Sequence, residues 1–421
     1  MMRQQICAGA LMLGALATLS TAQPAPDWLR NAAVVTNWND RERGTLDERR
    51  LAGIPLLINV QEKAWIDEAH RKGFRGISYT SCMDMFIEPS PGKTGGRMLL
   101  SNENANALLI DKDGRFVDTL MDGTRRLHRK LVCTNSATFV EKMTQYLQTV
   151  MDQGMDGLFV DNVSEQRVEC FGHGMRVGYS SRYKTVLAES PAVKFRDPRL
   201  SDVPVHTHLN PDQNHSYAFR QMLLKIRKMV KTYGPEKVMV INGGLEFADC
   251  ADATMIESYI CSWAWKGRRQ NWAQLKGLAE KYAPYVRNGG GVIALSYFGE
   301  TETTVKDDAF FSYAAARLSD FIWSDYQTLG GNPATVLYRA SLGPSSTSLQ
   351  AARPDVEYRW YRNGLIVINA TDREASATLA APQQNVIRSL ADLYDGRDIP
   401  VAGGKVVLSV PAQSGRVYQA R

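Results

Sequence analysis

Two carboxylate residues in otherwise apolar surroundings are the side chains best suited to acid–base chemistry. Asp161 directly follows the apolar residues 157–160, and Glu257 lies within the strand-like segment 255–260. A carboxylate at such a place must be paired, hydrogen-bonded or used, because an uncompensated buried charge is costly. Two carboxylates that face one opening can hydrolyse a glycosidic bond: one attacks the anomeric carbon or activates water, and the other protonates the leaving oxygen.

The surroundings of the two residues suggest their roles. We predict that Asp161 is the nucleophile or electrostatic stabiliser and Glu257 the acid/base, since an apolar strand favours the protonated form of a glutamate. A structural interpretation stays open for each: Asp161 could cap a helix or order a loop, and Glu257 could pair with a lysine or arginine. Glu300 and Asp84 are the reserve carboxylates. A separation of about 5–5.5 Å would indicate retention of configuration, and roughly 6.5–9.5 Å inversion.

Polar and aromatic residues at or near the predicted strand ends are candidates for binding a sugar. Aromatic rings can stack on the apolar face of a sugar, and amides can hydrogen-bond its hydroxyls. Strand alternation places Tyr259 on the same face as Glu257. Any of these side chains could instead pack in the core or satisfy backbone groups. The substrate-binding candidates are Asn37, Trp38, Tyr79, Asn162, Asn242, Tyr259, Trp263, Trp265, Tyr297 and Glu300.

Neither a metal nor an organic cofactor is expected. His206, His208 and His215, with Asp212 nearby, invite a metal interpretation, but their spacing matches no defined ligand motif. The sequence contains no Gly-x-Ser-x-Gly elbow and no glycine-rich dinucleotide loop after an early strand. A metal-dependent hydrolase that uses the histidines remains a third hypothesis for function.

Short apolar strands alternate with helical segments over most of the chain. Such strand–helix units predict a parallel sheet with right-handed crossovers. Eight units over about 300 residues favour a closed (β/α)8 TIM barrel over an open doubly wound sheet. We place this barrel at residues 28–339, with excursions at 82–134 and 164–215. In such a barrel the site lies at the carboxyl ends of the strands, where the candidate residues stand.

The last part of the chain has a different pattern. From residue 340 onward the apolar runs are short and strand-like, and Asn363-Gly364 and Asp395-Gly396 provide turns. This pattern predicts a C-terminal all-β, sandwich-like module over residues 340–421. The predicted fold class is therefore α/β, a TIM barrel followed by a β module.

Several segments together resemble a known group of proteins. Residues 155–163 (MDGLFVDNV), 240–244 (VINGG), 255–259 (MIESY) and 361–369 (YRNGLIVIN) resemble glycoside-hydrolase-like barrel proteins. Those proteins are similar to the endo-α-1,4-polygalactosaminidase group and more distantly to α-amylase-type barrels. The resemblance implies a catalytic aspartate at Asp161 and an acidic partner at Glu257.

The N-terminus predicts export. Residues 1–22 have the features of a signal peptide, with Arg3, the apolar run 7–19 and small residues at 20–22. We therefore expect a periplasmic or secreted bacterial protein with no membrane segment after cleavage; a retained anchor is the alternative. Of the six cysteines, Cys7 leaves with this segment and five remain, so at least one thiol stays free.

The overall charge does not indicate a nucleic-acid partner. The net charge is +6 over 421 residues, and the basic residues are scattered. We predict a monomeric glycoside hydrolase that cleaves a polysaccharide or oligosaccharide outside the cytoplasm. The alternative is a non-catalytic carbohydrate-binding barrel protein of the cell envelope, which would bind glycans without releasing product.

Overall fold

The computed structural model describes most of the chain in thirteen stretches. These are residues 24–37, 53–86, 98–99, 107–109, 117–121, 124–163, 166–170, 175–179, 215–261, 269–298, 302–325, 335–382 and 387–421. The predicted signal peptide, 1–22, lies outside the described residues. Among the described helices, none combines the length and the apolar composition that a membrane span requires.

The strands fall into a barrel half and a C-terminal half. The first strands are β1 (Thr36–Asn37), β2 (Leu56–Ile58), β3 (Arg75–Ser81), β4 (Asp84–Phe86), β5 (Asp118–Met121), β6 (Thr124–Leu131), β7 (Gly157–Val163), β8 (Gln166–Cys170), β9 (Met175–Tyr179), β10 (Val238–Gly243), β11 (Ala253–Ile256), β12 (Gly291–Ser296) and β13 (Ile322–Asp325). The later strands are β14 (Gln350–Arg353), β15 (Val356–Tyr361), β16 (Gly364–Asn369), β17 (Ala375–Ala380), β18 (Ser389–Asp392), β19 (Asp398–Pro400), β20 (Lys405–Val410) and β21 (Ser414–Ala420).

The helices lie mainly between the barrel strands. They are α1 (Asp27–Arg30), α2 (Lys63–Arg71), α3 (Ala137–Met151), α4 (His215–Thr232), α5 (Trp272–Arg287), α6 (Glu302–Leu318) and α7 (Thr335–Tyr338). Their ends follow local rules. Ser136 caps α3 through a bond from the Phe139 amide, Asn271 and Gln274 form a capping box on α5, and Gly73 follows α2 with a φ of 83°.

Eight parallel strands form the predicted α/β barrel. Their order is β1-β2-β3-β7-β10-β11-β12-β13, and a parallel bridge between Val34 and Trp323 joins the last strand to the first. Hydrogen bonds from the Val35 amide to the Trp323 carbonyl (3.1 Å) and from the Trp323 amide to the Ala33 carbonyl (3.0 Å) complete the closure. One connection departs from the strand–helix pattern, because a short 3-10 helix, Leu245–Cys250, links β10 to β11.

Alternation along the strands divides the apolar residues between two cores. One set fills the barrel interior, and α1 closes its amino-terminal end through the fully buried Leu29. The opposite set packs between the strands and the outer helices. The interior set includes Val35, Ile58, Ile77, Phe159, Val240, Met255, Leu295 and Ile322.

The excursion after β3 forms a small antiparallel sheet in the order β4-β6-β5. The sequence predicts a hairpin of residues 108–111 and 116–119 with its turn at Asp113-Gly114. The turn lies outside the described residues, but the Val117 amide donates to the Leu109 carbonyl at 3.1 Å, as such a hairpin requires. A second hairpin, β5–β6, was not predicted. Buried ion pairs, Arg129 with Asp84 and Lys130 with Asp118, hold this sheet together.

The C-terminal strands form the predicted all-β module. Six strands make one antiparallel sheet in the order β14-β15-β16-β21-β18-β19, and β17 pairs with β20 in a second. Trp360, Leu365, Leu408 and Tyr418 belong to the core that these sheets share. The Gly415 Cα lies so close to α6 that an added Cβ would be 2.8 Å from the Phe310 carbonyl oxygen.

Four described cysteines have buried side chains: Cys82, Cys133, Cys250 and Cys261. Burial raises the pKa of the Cys82 thiol to about 12, with the nearby Asp84 charge adding to the effect. Cys82 is therefore a core residue and not a nucleophile at neutral pH.

Candidate active site at the carboxyl end of the barrel

Five polar residues lie at the carboxyl end of the barrel, on the side of each strand that faces the barrel interior. Asp161 stands two positions after the interior residue Phe159, and Glu257 two positions after Met255. The same step leads from other interior residues to Tyr79, Asn242 and Tyr297. Because alternate residues of a strand share a face, all five side chains turn toward the mouth of the barrel.

These five side chains form one continuous chain of hydrogen bonds across the mouth. The Tyr79 hydroxyl donates to Asp161 Oδ2 at 2.5 Å, and Asn242 Nδ2 donates to Asp161 Oδ1 at 2.8 Å. The same Nδ2 donates to Glu257 Oε2 at 2.8 Å. The Tyr297 hydroxyl donates to Glu257 Oε1 at 3.1 Å. The two predicted carboxylates therefore lie in one site.

The shared donor limits the separation of the carboxylates. Each oxygen lies 2.8 Å from Asn242 Nδ2, so Asp161 Oδ1 and Glu257 Oε2 are no further apart than twice that distance. Retaining glycosidases hold their carboxyl groups about 5–5.5 Å apart, and inverting enzymes roughly 6.5–9.5 Å. The limit applies to the two oxygens that share the Asn242 donor, and it is compatible with the retaining geometry.

Exposure differs between the carboxylates and the amide that joins them. Asn242 is 8% exposed, whereas Asp161, Glu257, Tyr79 and Tyr297 are half-buried. The carboxylates are thus open to a ligand at the mouth, and Asn242 lies deeper than they do. The described partners of Glu257 are the Asn242 amide and the Tyr297 hydroxyl.

An irregularity in strand pairing places Asp161. Ile241 of β10 pairs with Val160 of β7, and Gly243 pairs with Val163, so β7 has one more residue than β10 between these two pairs. The extra residue of this bulge falls at Asp161 or Asn162, and Asn162 has a left-handed φ of 64°. Bulges beside active sites re-aim side chains. The Asn162 amide lies 3.4 Å from the Ser81 hydroxyl and does not join the hydrogen-bond chain.

Tyr259 is not at the mouth, contrary to the prediction. Its side chain is fully buried, and its ring meets Phe321 edge-on with centroids 6.1 Å apart. Strand β11 ends at Ile256, and Ser258 has a φ of 64°. Alternation therefore stops at Glu257, and the turn at Ser258 sends Tyr259 into the core outside the barrel.

The reserve carboxylate Asp84 has a structural role. It is 1% exposed and accepts a hydrogen bond from Arg129 Nε at 2.6 Å. Glu300, Trp38, Trp263 and Trp265 lie outside the described residues, so their predicted roles stay predictions. For Asn37 only the backbone, in β1, is described.

No metal site is found in the part of the chain that the structure describes. His206, His208 and Asp212 lie outside that part, and His215 begins α4 with its side chain undescribed. The metal hypothesis therefore gains no support from the described side chains.

One pair of polar residues at a strand end was missed from the sequence. Asn59 follows β2 with a left-handed φ of 76°, and its Oδ1 accepts from Gln61 Nε2 at 2.7 Å. Both residues are half-buried. The signal was present, since Asn59 is the first polar residue after the apolar residues 54–58, the same pattern that singled out Asp161.

Comparisons with known proteins show the fold. Amy13B of Eubacterium rectale is 9% identical over 96% of this chain and 98% of that chain, with a TM-score of 0.54. An α-amylase of Lactobacillus plantarum is 12% identical over 93% of this chain and 99% of that chain, with a TM-score of 0.52. The barrel and the β module together thus have the fold of these structures.

A further likeness is weaker. The glycoside hydrolase domain of PelA from Pseudomonas aeruginosa is 14% identical over 72% of this chain and 96% of that chain, with a TM-score of 0.43. No protein-family model matches the sequence, and no curated protein matches it either.

Proposed function

We propose that this protein is a retaining glycoside hydrolase with Asp161 as nucleophile and Glu257 as acid/base. The observation that supports it most directly is the single nitrogen, Asn242 Nδ2, that holds both carboxylates at 2.8 Å. This pair lies at the carboxyl end of a parallel barrel, the usual place for catalytic residues in this fold. The similarity to α-amylase structures supports the same class of reaction.

The proposed reaction has two steps. First, an oxygen of Asp161 bonds to the anomeric carbon while the bond from that carbon to the glycosidic oxygen breaks, and the Glu257 proton moves to that oxygen. Next, Glu257 takes a proton from water, and the water oxygen bonds to the anomeric carbon as the bond to Asp161 breaks. Asp161 is again ionised, Glu257 is again protonated, and the configuration is retained.

The proposed substrate is a polysaccharide or oligosaccharide outside the cytoplasm. The segments around Asp161 and Glu257 resemble those of glycoside-hydrolase-like barrel proteins that are similar to the endo-α-1,4-polygalactosaminidase group, so galactosamine polymers are the first substrates to test. The proposed export rests on residues 1–22. We propose that the protein acts as a monomer and without a cofactor.

A substrate screen with point variants tests this proposal. Polymers of galactosamine, glucosamine and glucose are incubated with the full chain, and the anomer first released is identified by NMR. Asp161→Asn and Glu257→Gln should abolish or strongly reduce product release while the fold is kept. The matched controls are Asp152→Asn and Glu141→Gln, which change exposed acids outside the mouth.

The outcomes separate the functional hypotheses. A product of retained configuration that requires both carboxylates supports the proposal. Activity that survives in Asp161→Asn removes it. Tight binding of a polymer without product, unaffected by either substitution, favours the non-catalytic carbohydrate-binding barrel instead.

A further inference from the structure

We infer that Asn242, Tyr79 and Tyr297 are positioning residues that hold the two proposed catalytic carboxylates in place for the reaction. This inference rests on the proposed function, and it replaces the sugar-binding roles that the sequence predicts for the three residues. Each of them donates a hydrogen bond to a carboxylate of the pair. None of the three needs to contact substrate to act in this way.

The amide of Asn242 is fully engaged on its nitrogen side. The amide faces the pair with its nitrogen, which only donates hydrogen bonds. That nitrogen carries two hydrogens, one for Asp161 Oδ1 and one for Glu257 Oε2. Both donors are thus directed to the carboxylates, and the residue is 8% exposed. Its position suits a spacer that sets the distance between the two groups.

The tyrosines support the two carboxylates unequally. The Tyr79 hydroxyl lies 2.5 Å from Asp161, whereas the Tyr297 hydroxyl lies 3.1 Å from Glu257. A shorter bond from a hydroxyl stabilises an ionised carboxylate more strongly. Each tyrosine therefore holds one carboxylate of the pair in place, Tyr79 on Asp161 and Tyr297 on Glu257.

The groups that face the pair come from every neighbouring strand of the barrel mouth. Among the described contacts, Tyr79 from β3 and Tyr297 from β12 are the titratable ones, and each carboxylate also faces the other across Asn242 from β10. The strengths of these contacts can therefore be changed one at a time. Replacing either tyrosine by phenylalanine removes one hydroxyl and keeps the ring.

The test follows the titration of the Asp161 and Glu257 carboxyl groups, by kinetics in the presence of substrate and by NMR in its absence. The pH dependence of kcat/KM and the ¹³C NMR titration of labelled carboxyl groups are recorded for the full-length wild type, Tyr79→Phe, Tyr297→Phe and Asn242→Ala. Asp161→Asn and Glu257→Gln assign the carboxyl signals. Tyr233→Phe is the matched control, since its hydroxyl donates to the Asp152 carboxylate at 2.6 Å on the outside of the barrel.

Each variant has its own expected result. Tyr79→Phe should move the acidic limb of the profile and the Asp161 signal to higher pH by roughly 0.5–1 unit, because an ionised Asp161 loses a donor worth about 1 kcal/mol. Tyr297→Phe should move the basic limb and the Glu257 signal in the same direction. Asn242→Ala should move both limbs and both carboxyl signals to higher pH, and Tyr233→Phe should move none of them.

The inference fails if both tyrosine variants behave like Tyr233→Phe, or if each moves both carboxyl signals equally. If Asn242→Ala does not fold, Asn242→Ser, which keeps one donor, replaces it and should shift both carboxyl signals in the same direction by a smaller amount. The two tyrosine variants test the inference without any change at Asn242. The NMR titration needs no substrate. Shifted carboxyl signals without any turnover would therefore contradict the proposed function and leave the positioning role of the three residues standing.

Discussion

Asp161 and Glu257 accept hydrogen bonds from one and the same nitrogen atom, although their strands are not neighbours in the barrel. Strand β10 lies between β7 and β11 and supplies that atom from Asn242. Parallel strands bring their carboxyl ends to one edge, and the intervening strand fills the gap with a neutral donor. An amide here binds both carboxylates and, unlike a lysine or arginine, adds no charge of its own.

The first prediction concerns the role of Glu257 in leaving-group departure. Glu257→Gln should lower kcat/KM on a polysaccharide by about 10²–10⁴-fold, because general acid catalysis contributes that much. A substrate with a strongly acidic leaving group, such as an aryl glycoside or glycosyl fluoride, should lose far less. Initial rates on both substrates provide the measurement.

The control for this prediction is Glu141→Gln, which should behave as the wild type on both substrates. Added azide should also restore turnover of the activated substrate by Glu257→Gln and give a glycosyl azide of retained configuration. Equal losses on the two substrates would show that Glu257 does not act as the acid.

The barrel could be predicted from sequence because its signals are local. The apolar strands β7 and β12 stand out as apolar runs that end in polar residues, and Gly73 and Gly154 mark helix ends. The position of Asp161 and Glu257 in one site followed from the rule that barrel strands expose their carboxyl ends together. The placement of both residues at the mouth of the barrel could therefore be predicted from the sequence alone.

The partners within the site were not predictable, because they depend on register. The sequence predicts sugar binding for Tyr79 and Asn242 but not their bonds to the carboxylates. The bulge between β7 and β10, next to Asn242 and Asp161, is likewise not revealed by any periodicity in the sequence. Tyr259 was misplaced for a related reason: a single left-handed residue, Ser258, ends the alternation on which its prediction relied.

The second prediction tests the close approach of β7 and β10 beside the site. A Cβ on Gly243 would overlap the carbonyl oxygen of Val163, so Gly243→Ala must push the two strands apart at the bulge. Since Asn242 is the preceding residue, its bonds to the carboxylates should lengthen. We expect kcat to fall at least tenfold, as misplacement near an active site costs up to about 100-fold.

The control is Gly277→Ala in helix α5, where an added Cβ meets nothing within 4 Å. That change should keep full activity and stabilise the protein by about 0.5–1 kcal/mol through helix propensity. Thermal melting and kcat are compared for the two variants. Full activity in Gly243→Ala would show that the strand spacing does not set the site geometry.

The third prediction is a pH-dependent contribution of Asp156 to stability. Asp156 lies at the opposite end of β7 from the site and accepts bonds from the Gly76 amide (2.9 Å) and Lys237 (2.9 Å), and contacts His70 (2.8 Å). Burial tends to raise the pKa of Asp156, but the bonds from His70, Gly76 and Lys237 outweigh it, so the pKa lies below its usual 3.8.

A lowered pKa in the folded protein fixes the direction of the effect. The stabilising contribution of Asp156 is complete above the pKa of the unfolded chain, near 3.8, and is lost as the pH falls from there through the folded value. Asp156→Asn should therefore cost about 1–3 kcal/mol at pH 7 and progressively less below pH 3.8. Urea unfolding at several pH values measures this difference.

The matched control is Asp67→Asn, which breaks an exposed pair with Lys63. Its effect should stay within about 0.5 kcal/mol at every pH, because exposed pairs contribute little. A cost for Asp156→Asn that does not change between pH 7 and pH 3 would contradict the assignment of the ionised carboxylate as the stabilising form.

The fourth prediction separates the structural carboxylate Asp84 from the proposed catalytic pair. Asp84 and Arg129 form an ion pair with side chains 1% and 7% exposed, so Asp84→Asn removes a buried negative charge from beside the buried arginine. Breaking a buried pair in this way costs about 3–5 kcal/mol. The activity per folded molecule should nevertheless stay close to that of the wild type, because Asp84 is committed to Arg129 and not to the hydrogen-bond chain at the mouth.

Asp398→Asn is the control for the fourth prediction, because it breaks an ion pair of the same chemistry with Arg421 in which the side chains are 51% and 60% exposed. It should change stability by no more than about 0.5 kcal/mol, since water already solvates both charges. Unfolding free energies and initial rates at a temperature where all variants are folded are the measurements. A loss of activity in Asp84→Asn as large as that in Asp161→Asn, without loss of stability, would move Asp84 into the reacting set and leave the assignment of only two catalytic carboxylates untenable.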